Sequence, residues 1–227
     1  MATTIISPES KLATGINVFV LPQERQAALL ETLGAINREI LLHKFPMNVS
    51  ANFHRAIDAS IIINYNQYTD RASGQYLRTR SETAPLLKRT HDLSEIHEIR
   101  WYEVADVVAA DGSRGQIEIS DDRGDLAVIG IFTVEAGKQG ELLDLLKRYG
   151  ETLKGAKAAG FIGIAVHRGY QGTHAAIYEQ WASIDAYRNA TREASTARAL
   201  QQIRDTANVS DLHLYHVESV TRFDLNS

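Results

Sequence analysis

The chain has 227 residues, an apolar fraction of 44% and a formal net charge of −4. These values suit one large or two small globular domains, and an acidic balance without a basic cluster argues against a nucleic-acid or polyanion partner. There are no cysteines, which removes disulfides, thiolate metal sites and cysteine nucleophiles. The N-terminus has no basic region followed by an apolar run, and no apolar stretch approaches the ~18 residues of a membrane span. A soluble, cytoplasmic protein is expected.

Residues 1–13 read as a loose lead-in. Residues 14–21 read as a strand with Asn17, Phe19 and Leu21 on one face. Pro22 sits where helices begin, and Ala27, Leu30, Leu33, Ile36, Ile40 and Leu41 follow at helical spacing until Pro46. Two strands come next, VSANFHRAID and ASIIINYNQY, joined by a tight turn near Asp58. Three β-branched residues mark the second of them. Alternation puts Asn64, Asn66 and Tyr68 on one face, and Tyr65 and Gln67 on the other with Ile61 and Ile63. A buried strand that turns polar on one face has found hydrogen-bond partners, lines a cavity or emerges at a sheet edge. We read it as lining a cavity. A weaker helix is expected over about 70–89, broken before Pro85, and a fourth strand begins at His97.

Residues 109–125 are rich in Gly, Asp and Ser and read as a linker with a short strand at 116–119. The order then restarts: strand LAVIGIFTV, a helix ended by Gly160, strands FIGIAVHRGY and THAAIYEQW, a helical stretch opened by Ser183, and a last strand DLHLYHVESV. Phe19 and Phe132, His54 and His167, Tyr68 and Trp181, and Tyr102 and Tyr215 are each 113 residues apart. A constant offset across distant strands identifies a duplicated module of about a hundred residues. Each copy, 14–108 and 126–220, has the β-α-β-β-α-β order of a ferredoxin-like fold, whose bare sheet face must be covered. The expected fold class is therefore α+β: two ferredoxin-like modules packed sheet to sheet as an α+β barrel within one chain. Further self-association, as a homodimer, is compatible with this arrangement but not required.

FHRAIDASIIINYNQY followed by GQYLR resembles the antibiotic biosynthesis monooxygenase family, in particular small oxygenases that convert aromatic polyketide phenols to quinones. Their strand end Asn-Tyr-x-Gln-Trp followed by Ala-Tyr-Arg is similar to residues 64–68 and 75–78 here, and to 177–181 and 186–188 in the second half. The resemblance implies that Asn64, Tyr68 and Tyr76 face a substrate cavity, with Asn17 at a further polar position. In the second half it implies such a place for Trp181 and Tyr187, whereas Ile177 and Gly130 stand where the first half has Asn64 and Asn17. The polar cavity is thus expected in the first half only. Two extra residues separate Tyr68 from Tyr76. Lys88 or Arg89 falls where the family has a basic residue on its second helix, although a solvated face explains both.

The resemblance implies a monooxygenase acting with O2 on a polycyclic aromatic polyketide phenol or anthrone, with no tightly bound cofactor. Asn64 and Asn17 would hold the phenolate, Tyr76 would take part with them, and Tyr68 and Asn66 would contact the substrate. His54 is the tempting general base, but its counterpart His167 lies in the half without Asn, so a shared structural role fits equally. His91, Asp92, Glu95, His97 and Glu98 suggest iron, yet they straddle a loop without a motif, and no metal is expected. No dinucleotide fingerprint follows a strand. Diffusible reduced flavin from a separate flavin reductase remains open, as in fused members that open angucycline-type rings. Haem degradation does not fit, because Arg78 and Thr191 occupy the axial-histidine position. A non-catalytic binding or stress-response barrel is the non-enzyme alternative.

Overall fold

The strand Ile61–Tyr68 lies in the middle of one half of a closed barrel. The computed structural model describes residues 2–57, 60–112 and 115–223. In chain order its elements are β1 (Thr4–Ile6), β2 (Ala13–Val20), α1 (Gln23–Leu42), β3 (Asn48–Ala56), β4 (Ile61–Tyr68), α2 (Ser73–Thr79), α3 (Ala84–Leu93), β5 (Ile96–Ala109), β6 (Ile117–Ile119), β7 (Leu126–Thr133), α4 (Gln139–Gly155), β8 (Phe161–Gly169), β9 (His174–Trp181), α5 (Ile184–Arg192), α6 (Ala194–Thr206) and β10 (Asn208–Arg222). The turn expected near Asp58 lies outside the described residues.

Around the barrel the strand order is β10-β3-β4-β2-β5-β8-β9-β7, all antiparallel and closed. The fourth strand of each half makes the closure. In β5, Ile96 to Glu103 pair with β2 of the same half, and Tyr102 to Ala109 pair with β8 of the other. In β10, Asn208 to His216 pair with β7, and Tyr215 to Arg222 with β3. The two sheets are therefore joined through hydrogen-bonded edges as well as through their inner faces. Closure of this kind removes the exposed strand edges that would template aggregation.

Both faces of the barrel strands are covered, which is why these strands are nearly continuously apolar. Inside, Ile16, Ile63, Tyr65, Tyr102, Ile129, Tyr178 and Tyr215 form one buried cluster. Outside, α1 to α3 cover the first half around Phe19, Leu33, Ile36 and Ile62, while α4 to α6 cover the second around Leu146, Tyr149, Ile164 and Trp181.

The lead-in is not loose. β1 pairs antiparallel with β6 and stoppers one end of the barrel. Gln67 Nε2 donates to the Ile5 carbonyl at 2.8 Å and Gln180 Nε2 to the Glu118 carbonyl at 2.6 Å, so two glutamines 113 residues apart hold the two stopper strands. The three-residue strand escapes a local reading because its partner lies more than a hundred residues away.

Helix ends also depart from the sequence reading. Pro85 opens α3 rather than merely breaking a longer helix, since its missing N–H costs nothing in a first turn. Helix α1 ends before Pro46, with Lys44 in the left-handed region (φ 49°) and Phe45 N–H donating to the Ile40 carbonyl at 3.0 Å. Helix α4 ends before Gly160 in the same way, with Lys157 at φ 48° and Ala158 N–H donating to Leu153 at 3.1 Å. This is the Schellman termination, built on lysine where glycine is usual. The helical stretch after Ser183 is likewise two helices, parted at Glu193, whose ψ of 137° is extended.

Candidate active site

Strand pairing sets Asn17 on β2 directly opposite Asn64 on β4, and Asn66 and Tyr68 follow on the same face. This face meets α1, α2 and α3 across a cavity of about 380 Å³. Asn17, Asn64, Asn66 and Tyr68 all line it, among apolar side chains that include Phe19, Leu33, Ile36, Leu77 and Ile99. Asn17 Nδ2 donates to the Asn64 carbonyl at 3.4 Å. Asn64 Oδ1 is buried without a protein hydrogen-bond partner among the described residues. Such an acceptor costs about 1–3 kcal/mol unless a ligand group satisfies it. Burial raises the Tyr68 phenol above its usual range, so it stays a neutral donor and ring surface.

Strand β5 contributes a side of the cavity that the sequence reading passed over. His97, Ile99 and Trp101 alternate onto the same face. Trp101 packs on Tyr68 with ring centroids 5.2 Å apart, where Gly15 and Gly74 leave room for the pair. His97 stacks on Phe19 at 4.3 Å and 18°. Its Nε2 lies 3.5 Å from Asn17 Oδ1, and both ring nitrogens of His91 lie within 3.2 Å of its Nδ1. Burial first, and then the neighbouring His91 and Arg78, pull the His97 pKa down to about 4. Arg71, Arg78 and His91 complete the rim. The signal for these residues was the period-2 alternation that had already placed Asn64. Among the described residues no group of three or more His, Asp or Glu side chains is arranged to hold a metal ion.

Several expected residues lie elsewhere. Tyr76 turns away from the cavity and packs edge-on against Phe45 at 5.6 Å, with Arg80 over its ring; Gln75 lines the cavity instead. The two extra residues before it rotate its direction by about 200° at ~100° per residue. Lys88 is paired to Asp92 at 2.7 Å on an exposed helix face, and Arg89 is exposed beside it; neither lines the cavity. His54 is on the opposite face of the sheet, inside the barrel, fully buried. Its Nδ1 is 3.2 Å from the Asn52 carbonyl, so Nδ1 carries the proton and Nε2 accepts from the Tyr178 hydroxyl at 2.9 Å. His167 and Tyr65 make the mirror pair at 2.8 Å. Burial lowers both histidines to about 4, so these neutral pairs are structural.

Among the described residues, apolar side chains fill the equivalent place in the second half. A side-chain carbon added to Gly130 would meet Ile177 and Leu212 at 3.0 Å and Phe132 at 3.1 Å, so apolar atoms fill the space that Asn17 occupies in the first half. Trp181 is fully buried; it donates to Glu179 Oε2 at 2.9 Å and packs edge-on with Tyr187 at 5.7 Å. Trp181 and Tyr187 thus belong to the core of the second half, away from the first-half cavity. Replacing Trp181 with Phe should cost about 1–3 kcal/mol through the lost hydrogen bond and packing, measured as a lowered urea midpoint.

Glu179 stands at the position of Asn66, and burial raises its pKa to about 7 against the partial compensation of Trp181 and Tyr149. A carboxyl raised from 4.5 favours the fold when protonated, so this contribution is intact below pH 4.5 and lost as pH rises through 7. Glu179→Gln should therefore be more stable than wild type at pH 8 by up to about 3 kcal/mol, with the difference gone near pH 4. Melting temperatures of the two proteins across that range check it.

The fold defines a single-chain α+β barrel of two ferredoxin-like halves. Residues 126–202 match the family model described as Antibiotic biosynthesis monooxygenase. That segment, about a third of the chain, is what is similar to the family. Tetracenomycin-F1 monooxygenase of Streptomyces glaucescens is 38% identical over 72 residues, which make up 32% of this chain and 62% of that protein, less than two thirds of the relative's length. The crystal structure of an anthrone oxidase-like protein superposes with a TM-score of 0.83 at 22% identity, over 99% of this chain and 98% of that one. A ferredoxin-fold protein from Listeria monocytogenes related to antibiotic biosynthesis monooxygenases gives 0.50 at 10% identity, over 92% and 96%. These two structures share the fold. The segment matched by the family model is the half whose sheet–helix interface is filled, while the cavity lies in the other.

Proposed function

We propose that the protein is a monooxygenase that oxidises an electron-rich polycyclic phenol or anthrone of polyketide type to a quinone, within the first module (14–108). The observation that carries this reading is the cavity itself: apolar walls, two facing asparagines, and a buried Asn64 oxygen with no protein partner. Such a site can hold a flat aromatic molecule, satisfy its hydroxyl and exclude water from the anion it forms. The phenolate gives one electron to O2, the radical pair combines at carbon, and the peroxide collapses to a carbonyl and water. Oxygen is the second substrate, and no resident cofactor takes part. The 38% identity to a tetracenomycin-F1 monooxygenase supports the substrate class.

Turnover of a hydroxylated anthrone under 18O2 tests this. One labelled oxygen is expected in each quinone and the other in water, without added flavin. Absence of labelled quinone, or strict dependence on reduced flavin with a ring-opened product, would contradict it.

A further inference from the structure

His97 stands at the junction between the cavity and solvent. One ring nitrogen faces Asn17 within the cavity, and the other faces His91, which is exposed on α3. Its ring is clamped on Phe19, so the imidazole can move little while it exchanges a proton. We propose that His97 is the base that takes the phenolic proton of the bound substrate, and that His91 is the outlet through which this proton reaches water. The inference rests on the proposed function and adds the proton acceptor which that reading leaves unassigned. In the step, His97 carries its ring proton on Nδ1, toward His91; the substrate O–H bond breaks, its electron pair stays on oxygen, and the proton forms the Nε2–H bond of His97, which then donates to Asn17 Oδ1. The Nδ1 proton then passes to His91 and on to solvent.

The charged and titratable groups that face His97 are His91 from α3 and Arg78 from α2; β2 presents only neutral Asn17 and Phe19. On α3 the Lys88–Asp92 pair is turned to solvent, and on β5 Glu98 is paired to Arg100. Burial first, and then the neighbouring His91 and Arg78, keep the empty-site imidazole neutral down to about pH 4, ready to accept. The Arg78 guanidinium at the rim stabilises a phenolate, and the anion raises the basicity of His97 once it lies beside it. The other buried histidines cannot serve, because His54 and His167 are sealed inside the barrel on tyrosine hydroxyls.

The test uses 2-hydroxyanthraquinone, already a quinone, whose visible band moves to the red when its phenol ionises. It is titrated into the protein at a pH below its own solution pKa. Wild type is expected to bind it as the phenolate, as is Lys88→Gln on the solvent face. His97→Gln, which keeps an amide toward Asn17 but accepts no proton, is expected to bind it as the neutral phenol. A neutral spectrum with wild type, or a phenolate spectrum with His97→Gln, overturns the base assignment and leaves the proposed function standing. No binding to wild type overturns both.

In turnover, His97→Gln should lose about 10²-fold or more near neutral pH, the scale of a missing general base. Activity should recover as the pH passes the substrate's own pKa. A loss equal at every pH means a positioning role and contradicts the proposal. His91→Gln should become dependent on buffer concentration, the buffer replacing the outlet. An undiminished, buffer-independent rate would remove His91 from the scheme.

Discussion

Asn64→Ala is expected to cut turnover by about 10²-fold or more, the scale of losing one preorganised hydrogen-bonding group at a developing charge. Its amide oxygen is buried without a protein partner among the described residues, so removing it should not destabilise the fold, and an unchanged or raised melting temperature checks this. Trp181→Phe should behave in the opposite way, with stability reduced and turnover nearly kept, because Trp181 is buried in the core of the other half. Measuring kcat and melting temperature for both variants separates the two halves. A greater loss of turnover at Trp181 would place the reaction in the half that matches the family model.

Acid should destabilise the protein well before its exposed carboxylates are all protonated. His54 and His167 have pKa values lowered from 6.5 to about 4 by burial. Bases lowered in this way favour the fold when neutral. Their contribution is complete above pH 6.5 and disappears as pH falls toward 4, by about 3 kcal/mol each. Glu179 acts in the reverse sense over nearly the same window and offsets about half of this loss. The Glu179→Gln variant should therefore show the steeper acid loss, about 6 kcal/mol, comparable to the whole stability of many domains. Urea midpoints between pH 7 and 4 check it. A flat profile in Glu179→Gln would mean that the His–Tyr pairs are not neutral and sealed as described.

Much of this architecture is legible in the sequence because duplication repeats each signal. The offset of 113 links Tyr65 with Tyr178 and Lys44 with Lys157 as well as the pairs that first exposed it. Alternation along IIINYNQY placed Asn64, Asn66 and Tyr68 correctly relative to one another. Applied to β3, the same rule accounts for His54, which pairs with Ile63 on the inner face of the barrel. Applied to β5, it places His97 and Trp101 with Asn17. The sequence reading instead weighed His97 as a metal ligand with His91, Asp92, Glu95 and Glu98; of these His91 lies beside it, whereas Asp92 is paired to Lys88 and Glu98 to Arg100. What stayed illegible depends on distance or on rotation: the β1–β6 stopper pairs residues over a hundred positions apart, and the two-residue insertion turns Tyr76 away.

The assignment of the reaction to the first-half cavity is tested most directly by filling that cavity. Ala51 lines it from β3, opposite Asn66, and a phenylalanine there would occupy the space meant for the substrate. Oxygen uptake with a hydroxylated anthrone should proceed in wild type at one O2 per quinone without added flavin. It should vanish in Ala51→Phe while circular dichroism and melting temperature show the protein folded. Uptake at the wild-type rate by folded Ala51→Phe would show that the chemistry takes place elsewhere in the molecule.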